Sequence, residues 1–346
     1  MSKRRGSPIL TPCWTRPAIV RAGDALRMVL EARGAPDGRP TATVRQGAET
    51  WPLALFEGES PAPGLTAWAA CLADGVPPGL YDLRVAIGGR DHAQRGAVCV
   101  LPEEIEDLTL AHCSDLHLLK PTAEGMEDRT SHVLTMIERL NETRPDLVIC
   151  TGDLISRYDP DKRPLPAKTI RWQIRWLAQY LPALEAPLYV TTGNHDVAFW
   201  STRADWYAAM GGGLEGRTGD WSVDWGPLHL SFMDCFAYYD GQNTLLESSF
   251  RPAQLAWLRT DMAATDPDAT RLLFAHYDYR HQLPAVFPFL GLDAFFYGHS
   301  VALYPEELER HAIWDGHLPA GLAYRVVHCV GKVITVLESV PWRALT

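Results

Sequence analysis

Along the first hundred residues the apolar positions come in short runs, some of them alternating, and each run breaks off in turn-forming residues. ALRMVLEA (25–32), TATVRQ (41–46), WPLALF (51–56), LTAWAACL (65–72), LYDLRVAI (80–87) and GAVCVL (96–101) carry this rhythm. Between them lie GAPDGRP, EGESPAPG, ADGVPPG and GGRD, rich in the residues that tight turns require. Six or seven strands with no helical period predict a small all-β sandwich of immunoglobulin-like kind over residues 1–104. No His or charged cluster in it suggests chemistry, so it reads as a structural or substrate-shaping accessory domain. LPEEIED (101–107), a proline followed by acidic residues, marks the junction.

Over residues 105–346 the rhythm changes. LTLAHC (108–113), LVIC (147–150), LYVTT (188–192), LHLSFMDC (228–235), RLLFAH (271–276) and DAFFYG (293–298) are continuous apolar runs, as in strands buried on both faces. Between several of them the period lengthens to that of a helix: SHVLTMIERLNE (131–142), IRWQIRWLAQYL (170–181), RADWYAAM (203–210) and PAQLAWLRTDMA (252–263). This alternation predicts an α/β domain. AYRVVHCVGKVITVLES (323–339) reads as a closing hairpin turning at Gly331.

Composition narrows the function. Twelve Trp, twelve Tyr and ten Phe suffice for two cores. The net charge of −10, with no basic block beyond KRR at residues 3–5, argues against a nucleic-acid polymer as partner. It leaves room for a small phosphorylated substrate, because a buried metal can outweigh a negative surface. No apolar run approaches the roughly 18–20 residues that span a bilayer, and the N-terminus lacks the apolar run of a signal peptide. Seven cysteines without a CxxC spacing predict packed, reduced thiols and a cytoplasmic location.

The chemistry collects where the apolar runs stop. LAHC leads to SDLH, with Asp115 and His117; LVIC leads to TGD, with Asp153. LYVTT leads to GNHD, with Asn194, His195 and Asp196; LLFA ends at His276 and FFYG at His299. Singly, each is ordinary: a His after a strand is usually a hydrogen-bonded loop residue, and an Asp after Gly is usually turn chemistry. Five strand ends carrying His, Asp or Asn are a different matter, since ligands gather beyond the carboxyl ends of strands in open α/β sheets. The mixture of carboxylate, imidazole and amide oxygen suits Mn, Fe or Zn.

The ordered set D-x-H, G-D, G-N-H-D, a His and G-H resembles the calcineurin-like metallophosphoesterase family over roughly residues 107–340. The resemblance implies a four-layer α/β/β/α sandwich with two divalent or mixed-valence metal ions between its sheets. It places Asp115 and His117 on the first metal, Asp153 as the bridge, and Asn194, His276 and His299 on the second. His195 would sit by the leaving group, with Asp196 orienting it. The implied reaction is hydrolysis of a phosphate ester by a metal-bound hydroxide, with phosphodiesters slightly preferred over monoesters. Two cations about 3.5–4 Å apart both supply the nucleophile and neutralise the phosphoryl oxygens.

One position departs from the pattern. The family's last motif reads G-H-x-H, whereas here Gly298 and His299 are followed by Ser300 and Val301. The first metal would then keep Asp115, His117 and Asp153 with water or substrate in the remaining position, take a substitute from His311, His317 or His328, or be lost. The first outcome is favoured, because three protein ligands and water form a normal catalytic site; the metal held there would be weak. His328, in an apolar strand, reads as a sheet residue. Purple acid phosphatases share the domain order but lack the His found here as His117, and their tyrosine ligand falls where this chain has Ser156.

Substrate cues are fewer. The loop 155–168 carries Arg157, Tyr158, Lys162 and Arg163 after the bridging Asp, and either closes over an anionic substrate or is a solvated Pro-rich loop. FWSTRADWY (199–207) either stacks on a substrate or packs into a core. Asp278 and His281 lie near His276 in the chain. The rival reading from another class is a non-catalytic protein-binding module; the absent His favours it, while His195 and Asp196 speak against it.

Overall fold

The computed structural model describes residues 7–31, 39–197, 200–211, 220–233, 252–277, 290–299, 313–315, 323–337 and 339–341. Its first eight strands are β1 (Ile9–Thr11), β2 (Ala18–Val20), β3 (Ala25–Glu31), β4 (Thr41–Gln46), β5 (Glu49–Gly58), β6 (Leu65–Cys71), β7 (Gly79–Ile87) and β8 (Arg90–Val100). The six strands expected from the pattern all form. They do not make an immunoglobulin-like sandwich of two sheets, however, but one sheet in the order β1-β3-β6-β5-β4-β7-β8-β2. The reason lies in β5, which pairs with β4 through Glu49–Leu53 and with β6 through Ala54–Gly58. A ten-residue strand shared in this way carries the sheet round a corner. The sheet curls about Met28, Val44, Tyr81, Leu83 and Val85 until it is nearly a barrel. Gln94 Nε2 donates to the Ile9 carbonyl at 3.1 Å where β8 approaches β1.

The second part runs β9 (Asp107–Cys113), β10 (Leu119–Thr122), β11 (Gly125–Asp128), α1 (Thr130–Thr143), β12 (Leu147–Cys150), α2 (Ala167–Tyr180) and β13 (Leu188–Val190). It continues through α3 (Asn194–Val197), α4 (Trp200–Met210), β14 (Trp221–Trp225), β15 (Leu228–Met233), α5 (Pro252–Ala264), β16 (Thr270–Ala275) and β17 (Ala294–Tyr297). It closes with β18 (Ile313–Asp315), β19 (Ala323–Val330), β20 (Val333–Val336) and β21 (Val340–Pro341). One sheet has the order β13-β12-β9-β19-β20, the other β14-β15-β16-β17-β18. Within them β9, β12 and β13 are mutually parallel, as are β15 to β18.

Between the sheets Leu108, Leu110, Leu147, Ile149 and Val327 meet Leu230, Phe232, Leu272, Phe274 and Phe296. Trp221, Phe232, Phe274 and Phe296 stack in a column across the second sheet, with centroids 4.0, 5.2 and 5.2 Å apart. On the outer face of the first sheet, α1 buries Val133, Met136, Ile137 and Leu140, and α2 buries Ile170, Ile174 and Leu177, the spacing of one helical stripe. On the other side Leu258 and Met262 of α5 pack on Leu273 and Phe295. The packing order is therefore helices, sheet, sheet, helix.

The chain between β1 and β2 crosses onto this second part. Trp14 lies in the helix-side core. Its Nε1 donates to the Ala209 carbonyl at 3.1 Å, and Thr15 Oγ1 to that of Met210 at 2.6 Å. These are last-turn carbonyls of α4, which the helix itself cannot satisfy. Val190 N–H donates to the Thr15 carbonyl, and Tyr189 Oη to that of Pro17. Cys13, Cys71, Cys99, Cys113, Cys150 and Cys329 are free thiols, and all but Cys71 are buried. Among the described residues no helix is long and apolar enough to cross a membrane.

Candidate metal centre

The loops leaving the parallel strands continue their pairing for a few residues. Asp115 N–H donates to the Gly152 carbonyl and His117 N–H to that of Asp153; Gly298 N–H donates to that of His276. The backbone there is held in an unusual conformation. Of the six non-glycine residues with positive φ among those described, four are Asp115 (56°), His117 (43°), Asp153 (53°) and His299 (74°). Left-handed backbone costs a side-chain-bearing residue about 1 kcal/mol or more, and it persists where the surroundings over-determine it. Glycine is required at two close approaches: a methyl group on Gly193 would collide with Asp153 Oδ1, and one on Gly298 with Ser114 Oγ.

His276 is fully buried and donates from Nδ1 to the Thr151 carbonyl at 2.8 Å, which leaves Nε2 facing the site. Asn194 Oδ1 lies 3.0 Å from that Nε2 and 3.0 Å from His299 Nδ1, and the two ring nitrogens are 3.2 Å apart. Asp153 Oδ2 completes the group, 3.3 Å from His276 Nε2. Donors about 2.1 Å from one ion and at right angles to each other lie roughly 3.0 Å apart, so this set has the spacing of ligands to one metal ion.

A second set shares the same carboxylate. His117 Nε2 is 3.8 Å from Asp153 Oδ2 and 3.6 Å from Asp115 Oδ1, and His195 Nε2 is 4.0 Å from Asp153 Oδ2. Asp115 uses its other oxygen to accept the N–H of His299 at 2.9 Å, which joins the two groups through the backbone. Among the described residues, His117–Asp153–His195 and Asp153–His276–His299 are the groups that could hold a metal, with Asp153 common to both.

Charge in the site is lopsided. Burial opposes ionisation of Asp153, but His276, His195 and His117 around it hold its carboxyl far below the usual range. Burial lowers His276, yet Asp153 outweighs this and pushes the imidazole up to about 9. His117 is also raised, its burial overcome by Asp115 and Asp153. The buried carboxylates thus favour positive charge on the rings of His276 and His117, and a metal cation on the same nitrogens would supply that charge in place of the protons.

The calcineurin-like phosphoesterase family model matches residues 108–303, more than half of the 346 residues, and the matched span contains all eight of these metal-site and flanking positions. The chain belongs to the calcineurin-like phosphoesterase family. No curated protein matches it. Among solved structures it shows similarity to an amylomaltase from Corynebacterium glutamicum at 14% identity and a TM-score of 0.21, covering 47% of this chain and 23% of that one. A putative α-galactosidase/melibiase from Bacteroides fragilis is similar at 11% identity and a TM-score of 0.25, covering 84% and 57%. A cyclomaltodextrinase is similar at 8% identity and a TM-score of 0.17, covering 86% and 60%. The chain spans less than two thirds of each, and at such scores none bears on its fold or function.

Within this calcineurin-like phosphoesterase, the side chain of Asp196 has other partners than the one expected. Asp196 does not orient the imidazole of His195. Its Oδ2 accepts the N–H groups of Asp153 and Gly193, both at 2.8 Å, and its Oδ1 those of Leu154 (2.9 Å) and Ile155 (3.2 Å). Three consecutive N–H groups after β12 have no strand to pair with, and a buried carboxylate satisfies them. Burial and then the charge of Asp153 push the Asp196 carboxyl up to about 7, against the N–H donors that favour the anion. The imidazole of His195 is held by Arg157 instead, whose N–H donates to Nδ1 at 3.2 Å.

Arg157 and Tyr158 flank His195: the Tyr158 ring stands edge-on to it at 5.8 Å, and the Arg157 guanidinium lies 4.9 Å over the Tyr158 ring. Their loop carries backbone bonds of its own, with Tyr158 bridged to Pro164 and Leu165 N–H donating to the Arg157 carbonyl, while residues 160–164 are exposed. Arg163 ion-pairs with Asp161 on the exposed side. Trp206 packs into the helix-side core. His328 Nδ1 lies 3.1 Å from Thr109 Oγ1 within the sheet. Phe199, Asp278, His281, Ser300, Val301, His311 and His317 lie outside the described residues. Thr151, Ser156 and Gln173 take part in the site although their sequence context does not mark them as ligands; Gln173 leaves a readable trace, as an amide on the apolar stripe of IRWQIRWL.

Proposed function

We propose that this protein hydrolyses a small phosphate ester in a metal-dependent reaction, with phosphodiesters preferred over monoesters. The supporting observation is that two donor groups share Asp153 while His195 Nε2 stands 4.0 Å from the same carboxylate oxygen. Asp153, Asn194, His276 and His299 would hold one ion, and Asp115, His117 and Asp153 a second, weaker one. Bound there, two cations would supply a nucleophile from water and neutralise the phosphoryl oxygens.

The chain's own residues supply the rest. His276 presents Nε2 because Nδ1 is committed to the Thr151 carbonyl. His195 accepts at Nδ1, so the ring is neutral in this arrangement and its proton sits on Nε2. Burial lowers its pKa, Asp153 opposing this, which favours the neutral ring, whose Nε2–H would donate a hydrogen bond to the departing alkoxide. Arg157 and Tyr158, on the same rim, are the residues to hold an anionic ester against His195. The deciding experiment combines metal content per chain with hydrolysis of a chromogenic diester and monoester across added Mn²⁺. Turnover that rises with Mn²⁺ and drops in His195→Ala is the expected result. No turnover with any metal sinks the hydrolase reading and leaves the fold as a binding module.

A further inference from the structure

We propose that Gln173 is a positioning residue which, through Ser156, sets the orientation of both His117 and His195; the idea rests on the phosphoesterase reading above. Gln173 lies on the inward stripe of α2 with Ile170, Ile174 and Leu177, and it is fully buried. An amide in such a layer costs several kcal/mol unless its hydrogen bonds are made. Here both ends are used on one residue: Oε1 accepts the Ser156 N–H at 2.8 Å, and Nε2 donates to the Ser156 carbonyl at 2.9 Å. Two opposed bonds to one peptide segment fix its position and its plane together, as a neighbouring strand would.

The reason for the clamp is in the accounting of the loop. After β12 the N–H groups of residues 153, 154 and 155 go to Asp196, that of 156 to Gln173 and that of 157 to His195. Gln173 thus holds the link between the part anchored by Asp196 and the part that anchors His195. Ser156 Oγ lies 3.3 Å from His117 Nδ1, and the next N–H along the chain is the one that fixes the tautomer of His195. One side chain that touches neither imidazole therefore governs the ring nitrogen turned away from the site in each. If the Ser156 peptide drifts by about 1 Å, Arg157 N–H loses Nδ1 and the proton on Nε2 is no longer assured; misplacements of that size away from the chemistry are costly.

The test uses the full-length protein with Mn²⁺ and a series of aryl methyl phosphodiesters whose leaving groups run from dinitrophenol to phenol. Gln173→Met keeps the shape and removes both bonds; Gln173→Glu keeps the acceptor for Ser156 N–H and loses only the donor, and serves if the first variant folds poorly. With His195 misplaced, the phenyl ester slows about tenfold or more while the dinitrophenyl ester changes little, because only a poor leaving group needs the proton. Ser156→Ala, by contrast, leaves the leaving-group dependence alone and weakens Mn²⁺ binding several-fold by EPR titration. Histidine ¹⁵N NMR of the metal-free protein gives a reading independent of turnover: Nδ1 of His195 is unprotonated in the parent and mixed in Gln173→Met. Equal slowing of every ester together with an unchanged His195 tautomer overturns the proposal. A parent protein with no turnover overturns the phosphoesterase reading, and the NMR arm then decides the positioning claim by itself.

Discussion

Asp196 and Asp153 grip each other's loops. Asp196 Oδ2 accepts the N–H of Asp153 at 2.8 Å, while Asp153 Oδ1 accepts the N–H of His195, the residue before Asp196, at 2.7 Å. The carboxylate shared by both metal groups is therefore set by a neighbour that holds no metal itself. Asp196→Asn places amide hydrogens against N–H donors and leaves buried groups unmet, so a loss on the order of 3 kcal/mol is expected. Urea unfolding measures it, and metal content per chain should fall with it. Unlike Gln173→Met, the folded fraction should show no selective loss on poor leaving groups, because Asp196 holds residues 153–155 whereas Gln173 holds Ser156, directly before the Arg157 N–H that meets His195 Nδ1.

Gly298 separates packing from flexibility. A methyl there would collide with Ser114 Oγ and lie 2.7 Å from Asp115 Oδ2, which is engaged with His299 N–H. Gly298→Ala should push Asp115 aside and weaken Mn²⁺ binding about 10–100-fold, the range for lost support of a ligand. Gly331 is the comparison: its φ is +54°, and a methyl on it would meet nothing within 4 Å. Gly331→Ala should cost about 1 kcal/mol of stability for its left-handed backbone and leave metal binding alone. Calorimetric Mn²⁺ titration of both variants checks the pair.

How far the site is legible from sequence follows from the range of each interaction. The ligand-type residues can be found because each directly follows an apolar run, and parallel strands bring those ends to one edge. Asp196 misleads because an Asp beside a His in sequence suggests that the two interact, whereas three of its four N–H partners come from the loop about forty residues earlier. The same limit hides Trp14, whose partner carbonyls at 209 and 210 are far away in the chain. The hairpin of β10 and β11 escapes because LKPT and GMED show no alternation and all but Asp128 are half-buried. In the first domain every long strand is visible, but the bend is not, since nothing in WPLALF says that β5 changes partners at Ala54.

Away from the site, His229 joins α5 to the second sheet. Its Nδ1 lies 2.7 Å from Asp224 Oδ1 and its Nε2 3.0 Å from Asp261 Oδ2, while Ser222 and Ser231 also donate to Asp261. Burial lowers the imidazole's affinity for protons, but the two aspartates outweigh it and push the pKa from 6.5 up to about 9. A raised folded pKa stabilises fully below the unfolded value of 6.5, and that contribution is lost as pH rises through 9. Asp261 is held below its ordinary 3.8, so its contribution is present above that value and lost as pH falls further. The difference in Tm between the parent and His229→Gln, both with chelator, should be greatest near about pH 5–6 and shrink by about pH 9.5. A difference that grows towards the alkaline end contradicts this assignment.

The crossing segment before β2 makes the first domain more than an appendage. Trp14 is buried in the helix-side core, and Cys99 and Leu101 from the end of the first domain enter the core between the two sheets. Trp14 and Thr15 also cap α4, which follows α3, the short helix that carries Asn194, His195 and Asp196. Trp14→Ala should therefore cost about 3–5 kcal/mol, the range for emptying a buried tryptophan site. Thr15→Val, which removes the hydrogen bond to the Met210 carbonyl and the weak one with Cys13 Sγ and keeps the shape, should cost about 1 kcal/mol. Hydrogen exchange locates the effect: in both variants the amides of residues 204–210 should lose protection before those of β3 and β6. If α4 keeps its protection while the first domain loosens, the segment serves its own domain and the capping role is wrong.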